Sequence, residues 1–203
     1  VETVSVVLRQ SGITLNALEV RATRANARTP VTFQNLEREE LEEQNLGQDA
    51  PYLLRWTPSA VVTSDAGAGV GYTGIRIRGT DPTRINITIN GIPVNDAESQ
   101  GVFWVNMPDF LSSAENVQIQ RGVGTSTNGA GAFGATINLS TAESREEAYA
   151  NLNTSVGSFN TFKRNVRFGT GLMENGLSFS GRLSRITSDG YIDRASSDLN
   201  GYF

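Results

Sequence analysis

The 203 residues contain no histidine and no cysteine, which removes most of the side-chain chemistry an enzyme would use. There can be no Ser-His-Asp or Cys-His nucleophile, no HExxH zinc site, no histidine axial ligand to haem, and no disulfide or thiolate. Carboxylates remain. A hydrolase built on two of them needs the pair about 5 to 9 Å apart in a cleft, and the loop candidates are Asp65, Asp81, Asp96 and Glu98. The run Glu37–Glu43 (EREELEE) carries no ligand geometry and reads as the solvated face of a helix. Two glycine-rich stretches imitate phosphate loops. Ser64–Thr73 (SDAGAGVGYT) is followed by neither a helix start nor a lysine, and Gly129–Gly134 (GAGAFG) is followed by the strand-like ATINLS. The dinucleotide fingerprint needs a helix there, so both read as loops and places of close backbone approach.

This sparse chemistry has to be positioned by β structure. Gly74–Asp96 (GIRIRGTDPTRINITINGIPVND) alternates apolar and polar residues at period two, first through Ile75 and Ile77, then through Ile85, Ile87 and Ile89. Such alternation in β-branched residues marks half-buried strands. Gly79 and Asp81-Pro82 supply the turn between them, and Asn90-Gly91 tolerates the positive φ of a tight hairpin. With 21 glycines and 19% charged residues, the composition suits turn-rich β structure better than a helical bundle. A net charge of −4 gives no reason to expect nucleic acid as the main partner. No run is long and apolar enough for a transmembrane helix, which says nothing against a barrel whose strands are short and alternating. A chain without a starting Met that stops at Leu199–Phe203 (LNGYF) is expected to be a piece of a longer one.

In chain order, Val4–Leu8 reads as a short strand or a frayed extension, and Leu18–Arg24 as an extended, β-prone segment or linker. Asn35 is expected to cap a helix from about Leu36, ending at Asn45-Leu46-Gly47. A second short helix has Asp49 as cap, Pro51 in its first turn and Leu53, Leu54 and Trp56 as its apolar side. Met107–Ser113 reads as a short helix started by Pro108 and Asp109, and Glu115–Arg121 as another strand. In Asn95–Asn106, Phe103 and Trp104 stand among acids and amides, and Trp104 reads equally as a ligand contact or as a core filler. After a polar boundary at Thr141–Glu147, three alternating segments follow, based on Ala150/Leu152/Val156, Phe162/Val166/Phe168/Leu172 and Leu177/Phe179/Leu183. Arg164 falls on an apolar side, which places it near a membrane interface or tells against barrel strands. A soluble sandwich would show the same period.

Four blocks in order resemble the plug domain of TonB-dependent outer-membrane receptors. They are Ile77-Arg78-Gly79, Ile87–Val94 (ITINGIPV), Val117–Gly122 (VQIQRG) and Asn128–Leu139 (NGAGAFGATINL). The resemblance implies an α+β plug of mixed small sheet and short helices, followed by the first antiparallel strands of an incomplete transmembrane β-barrel. Residues 1–17 would be an N-terminal extension or the end of a preceding regulatory-like domain. Residues 18–29 would hold the TonB box and linker, 30–141 the plug, and 142–203 the first barrel strands. The family implies active import, without catalysis or cofactor, of a scarce ligand such as a siderophore or other metal chelate, cobalamin or glycan. The energy transducer TonB would capture Leu18, Glu19, Val20, Arg21 and Ala22 by strand addition. Apical loops would meet the ligand through Asp65, Tyr72, Asp81, Arg84, Asp96, Glu98, Gln100, Phe103 and Trp104. Arg78 and Arg121 would lock the plug to barrel glutamates. The location implied is the Gram-negative outer membrane, with lipid around the barrel and the N-terminus in the periplasm. The alternative is a non-transporting, surface carbohydrate- or ligand-binding β module.

Overall fold

The structure, a computed structural model, describes residues 24–124, 128–129, 131–141 and 145–203. Five strands form the first sheet: β1 (Thr32–Glu37), β4 (Ile85–Ile89), β5 (Ile92–Pro93), β6 (Ala114–Arg121) and β7 (Ala135–Thr141). Their spatial order is β1-β6-β7-β4-β5. Strands β4 and β7 run parallel, Ile87 opposite Ile137, and the other neighbours are antiparallel. The alternation seen in the sequence sets one face of this sheet. Ile85, Ile87, Val117, Ile119, Ile137 and Leu139 all point into a core closed by Leu41, Leu53, Leu54, Trp104, Phe110 and Leu111. The last six residues come from helices α1 (Arg38–Gln44) and α2 (Ala50–Leu53), the residue after α2, and two 3-10 turns at Trp104–Asn106 and Phe110–Ser113. A separate hairpin of β2 (Ala60–Ser64) and β3 (Thr73–Ile77) adds Ile75 and Ile77 to the same core.

The hairpin at Asn90-Gly91 forms as its sequence predicts, with φ of 51° and 82° at the two residues. Gly134, in the fingerprint-like GAGAFG, meets a steric demand: a Cβ there would sit 2.0 Å from the Thr80 hydroxyl oxygen. The residues after it enter β7, so the stretch is strand-to-strand packing.

Several expectations need correction. The helix does not begin at Leu36, because Thr32–Glu37 pairs with β6 as a strand, and the Glu37 N–H donates to Glu40 at 3.1 Å where α1 starts. Leu53 and Leu54 are buried as expected, but Trp56 is 72% exposed and lies beneath the Arg55 guanidinium. The helix expected over Met107–Ser113 is shortened to a 3-10 turn, with Asp109 before it in the left-handed region at φ 54°.

The second sheet holds β8 (Tyr149–Gly157), β9 (Thr161–Gly169), β10 (Ser180–Ser188) and β11 (Ser197–Tyr202) as an antiparallel meander in the order β11-β10-β9-β8. The sequence reading placed the third strand too early, since Leu177–Phe179 lies outside β10, and it missed β11. Polar residues dominate Ser197–Tyr202 (SDLNGY), which hides its strand period. The four strands do not close on themselves.

Candidate functional site

Packing against the first sheet inverts the usual order of burial in the second. On β9 the polar residues Lys163 and Asn165 are 1% and 2% exposed, while Val166 between Asn165 and Arg167 is 40% exposed. The outward faces align across the strands, Leu152 opposite Val166, Val166 opposite Leu183, and Leu183 opposite Tyr202. All four of these apolar side chains are exposed. A soluble sandwich buries the opposite face, so this arrangement matches a barrel wall with its polar face toward a lumen. Arg164 does point outward, where its guanidinium lies 4.6 Å from the Phe162 ring centre. Arg185, opposite it, is held by Asp198 at 2.6 Å.

The seam between the two sheets is built around Asp109. Trp104, Phe110 and Leu111 turn into the core, and the left-handed backbone at Asp109 levers its carboxylate to the other side, toward β9 and β10. Aspartate tolerates that conformation better than most residues. Lys163 reaches Oδ1 at 2.7 Å, and Arg182 reaches Oδ2 at 3.4 Å; both cations and the carboxylate are almost wholly buried. Asn45 donates to Oδ1 at 3.2 Å, Ser112 to Oδ1 at 2.6 Å, and Asn165 to Oδ2. Lys163 also donates to the Asn45 side-chain oxygen at 2.8 Å, and Arg182 to the Ser113 hydroxyl at 2.7 Å. Burial alone would push the Asp109 carboxyl up; the charge and hydrogen bond of Lys163, with Ser112 and Arg182, hold it below the usual range. The seam continues outward through Arg167 to Glu42 at 2.6 Å and Arg38 to Glu42 and Glu115. The sequence reading assigned Asp109 only a helix-start role and missed this cluster. The available signal was cations on the polar face of a wall strand, which must find partners inside.

The residues expected to face a ligand separate into two groups at opposite ends of β3. Asp65 and Tyr72 line a cleft with Ala195–Leu199. Arg84, Asp96 and Gln100 line another with Asn128. Five strand residues between them span about 17 Å. The first loop is anchored by Asp49, whose N–H donates to Gly69 O at 2.8 Å and whose carboxylate accepts from Thr73 at 3.0 Å. Burial pushes that carboxyl up to about 7, against the pull of the Thr73 hydroxyl and the Gly71 N–H. Asp81 accepts from the Thr83 N–H and hydroxyl at 3.0 and 2.9 Å, and Asp96 from the N–H groups of Glu98 and Ser99 at 3.0 and 2.7 Å. The Thr83 and Ser99 N–H groups, first among these donors, hold Asp81 and Asp96 below the usual carboxylate range, the wrong direction for a general acid. Phe103 is half exposed. Trp104, at 3% exposure, fills the core, because the 3-10 turn it begins faces the sheet.

Arg78 and Arg121 come together. Arg78 adopts φ 54°, and its guanidinium lies over Gly122, where a Cβ would be 2.7 Å from Nη1. Arg121 donates to Pro58 O at 3.4 Å. Among the described residues neither has a carboxylate within 4.0 Å. Leu18, Glu19, Val20, Arg21 and Ala22 lie outside the described residues.

The other face of the first sheet is polar yet buried. Gln118, Gln120, Thr136, Asn138 and Thr88 are all at or below 4% exposure. Gln118 mimics a strand neighbour for Ala25, accepting from its N–H at 2.7 Å and donating to its carbonyl at 2.9 Å. Asn128 donates to Gln120 at 3.0 Å, and Thr88 to Asn138 at 2.7 Å.

Residues 25–136 match the family model of the TonB-dependent Receptor Plug Domain. Among solved structures, the chain is similar to the alcaligin outer-membrane receptor FauA from Bordetella pertussis (21% identity, 80% of this chain, 27% of that one, TM-score 0.61). It is also similar to FpvA of P. aeruginosa, solved with bound pyoverdine and iron (19%, 79% and 21%, TM-score 0.60). A third is the ferric yersiniabactin uptake receptor FyuA from Yersinia pestis (16%, 82% and 26%, TM-score 0.59). The chain spans about a quarter of the length of these receptors. No curated protein sequence matches it. A matched plug over more than half the chain, packed through buried charges on strands whose apolar face is outward, places this protein in the TonB-dependent receptor plug family.

Proposed function

We propose that the protein gates TonB-dependent import of a scarce ligand across the outer membrane of a Gram-negative bacterium, with residues 30–141 as plug and 142–203 as the start of the barrel wall. The observation that carries this is the burial on β9 and β10, where Lys163, Asn165, Arg182 and Ser184 turn inward onto the plug while Leu152, Val166, Leu183 and Tyr202 form an aligned row outward. A siderophore or another metal chelate leads the ligand classes, because the similar receptors named above are siderophore receptors; cobalamin and glycans are the other members of the set. The clefts at Asp65/Tyr72 and at Arg84/Asp96/Gln100 would meet the ligand, with Glu98, Phe103 and Asp81 beside them. Arg78 and Arg121, side by side and without acidic partners among the described residues, are suited to carboxylates from further barrel strands.

TonB would pull on Leu18–Ala22. Past that segment, Arg24 donates to the Ser140 hydroxyl at 3.1 Å and Ala25 makes two neutral hydrogen bonds with Gln118. Each of the two Gln118 bonds is worth about 1 kcal/mol net. The test is uptake by the full-length receptor, assayed against a panel of chelates, cobalamin and glycans beside a TonB-deficient control. Val20→Pro removes a backbone donor and fixes φ, and is expected to abolish energised uptake while ligand still binds at the cell surface. Val20→Ala keeps every backbone group and is expected to transport normally. Full uptake by Val20→Pro would refute the role of this segment.

A further inference from the structure

The seam between plug and wall is charge-polarised. The inward face of the wall strands supplies Lys163, Arg167 and Arg182, and the facing plug surface supplies Asp109 and Glu42. At its centre one carboxylate serves two buried cations, and no second acid among the described residues is within ion-pair reach of either. The hydrogen bonds around it are made by groups from both sides of the seam, Asn45, Ser112 and Ser113 from the plug, Asn165 from the wall.

We propose that Asp109 is the positioning residue that seats the plug on this part of the wall and keeps the lumen sealed when no transport is under way. Resting on the import reading above, the inference adds which contact stays closed. A buried ion pair broken from one side leaves an uncompensated charge, which is far costlier than releasing a neutral hydrogen bond. The attachment of Ala25 to Gln118 is neutral, and that at Asp109 is ionic and dry. Of these two contacts the one at Asp109 is the costlier to break, and it holds β9 and β10 to the plug. The polarity is the reverse of the lock expected at Arg78 and Arg121: here the anion belongs to the plug and the cations to the wall.

The test uses the full-length receptor in its outer membrane, in cells lacking TonB, with vancomycin permeation as the readout of a broken seal. Asp109→Asn keeps the side-chain shape and a residue suited to the left-handed backbone, but leaves Lys163 and Arg182 unpaired. Permeation is expected to rise by about tenfold or more, at unchanged receptor content, because an unpaired buried charge admits water and loosens the seam. Asp109→Asn with Lys163→Met removes one charge of each sign and restores the original net charge of the cluster; with Arg182 alone left unpaired, permeation is expected to fall well below that of Asp109→Asn. If Asp109→Asn fails to assemble and the double variant assembles, the charge pairing is likewise supported. Equal permeation in wild type and Asp109→Asn, no recovery in the double variant, or failure of both to assemble would overturn the proposal. Wild-type uptake with TonB present is measured in parallel; its absence would count against the import reading and not against the seal.

Discussion

Asp49→Asn should change how plug stability depends on pH. Asp49 is 2% exposed, and its carboxyl is raised to about 7 where an unfolded chain has 3.8. The native state therefore holds a proton that the unfolded state has already released. Stability is greatest below the unfolded value and falls as pH rises between about 4 and 7, the reverse of a salt-bridged aspartate. Three pH units of difference correspond to about 4 kcal/mol. The groups held low, Asp81, Asp96 and Asp109, lose their contribution only as pH falls below about 4, so the windows separate. Asn at position 49 can still accept from Thr73 and does not titrate. The expected result is a flat profile from pH 5 to 8 and a gain of about 2 kcal/mol at pH 8, after allowing for an amide that is itself imperfectly satisfied. Urea unfolding of residues 24–141, followed by the fluorescence of buried Trp104 with exposed Trp56 replaced by Phe, measures this directly. A wild-type stability that does not fall between pH 5 and 8, or an identical fall in Asp49→Asn, would refute the reasoning.

Other outcomes follow from the same geometry. Residues 30–141 should fold alone as a soluble unit while 148–188 self-associate through unpaired strand edges; limited proteolysis that digests the first and spares the second would reverse this. Leu183→Lys puts a charge in the exposed row with Val166 and Tyr202, and is expected to cost about 2–4 kcal/mol of barrel stability near the bilayer centre, read as loss of the heat-modifiable band in cold gel electrophoresis. Gly134→Ala forces a methyl against Thr80 and should cost about 1–3 kcal/mol in the urea assay, part of which Thr80→Gly should recover.

The strands of the plug were legible because their signal is local. Ile75 and Ile77, or Ile85 and Ile87, declare a buried face by period alone, and Asn90-Gly91 declares its turn by the φ angles it tolerates. The paired edge strand β1 was not legible, since Glu37 both ends a strand and begins a helix, and charged residues weight that stretch toward helix. Phe103 and Trp104 are chemically alike neighbours; the 3-10 turn sends one inward and leaves the other half exposed. Period two in β8–β10 announced strands without saying which face was inside, because alternation is symmetric under exchange of faces. Packing against the plug decided it, burying Lys163 and Asn165 and leaving Leu152 and Leu183 out. Asp109 and Arg182 are 73 residues apart in the chain, and no local pattern links them. A buried charge is explained only by the partner that folding brings to it.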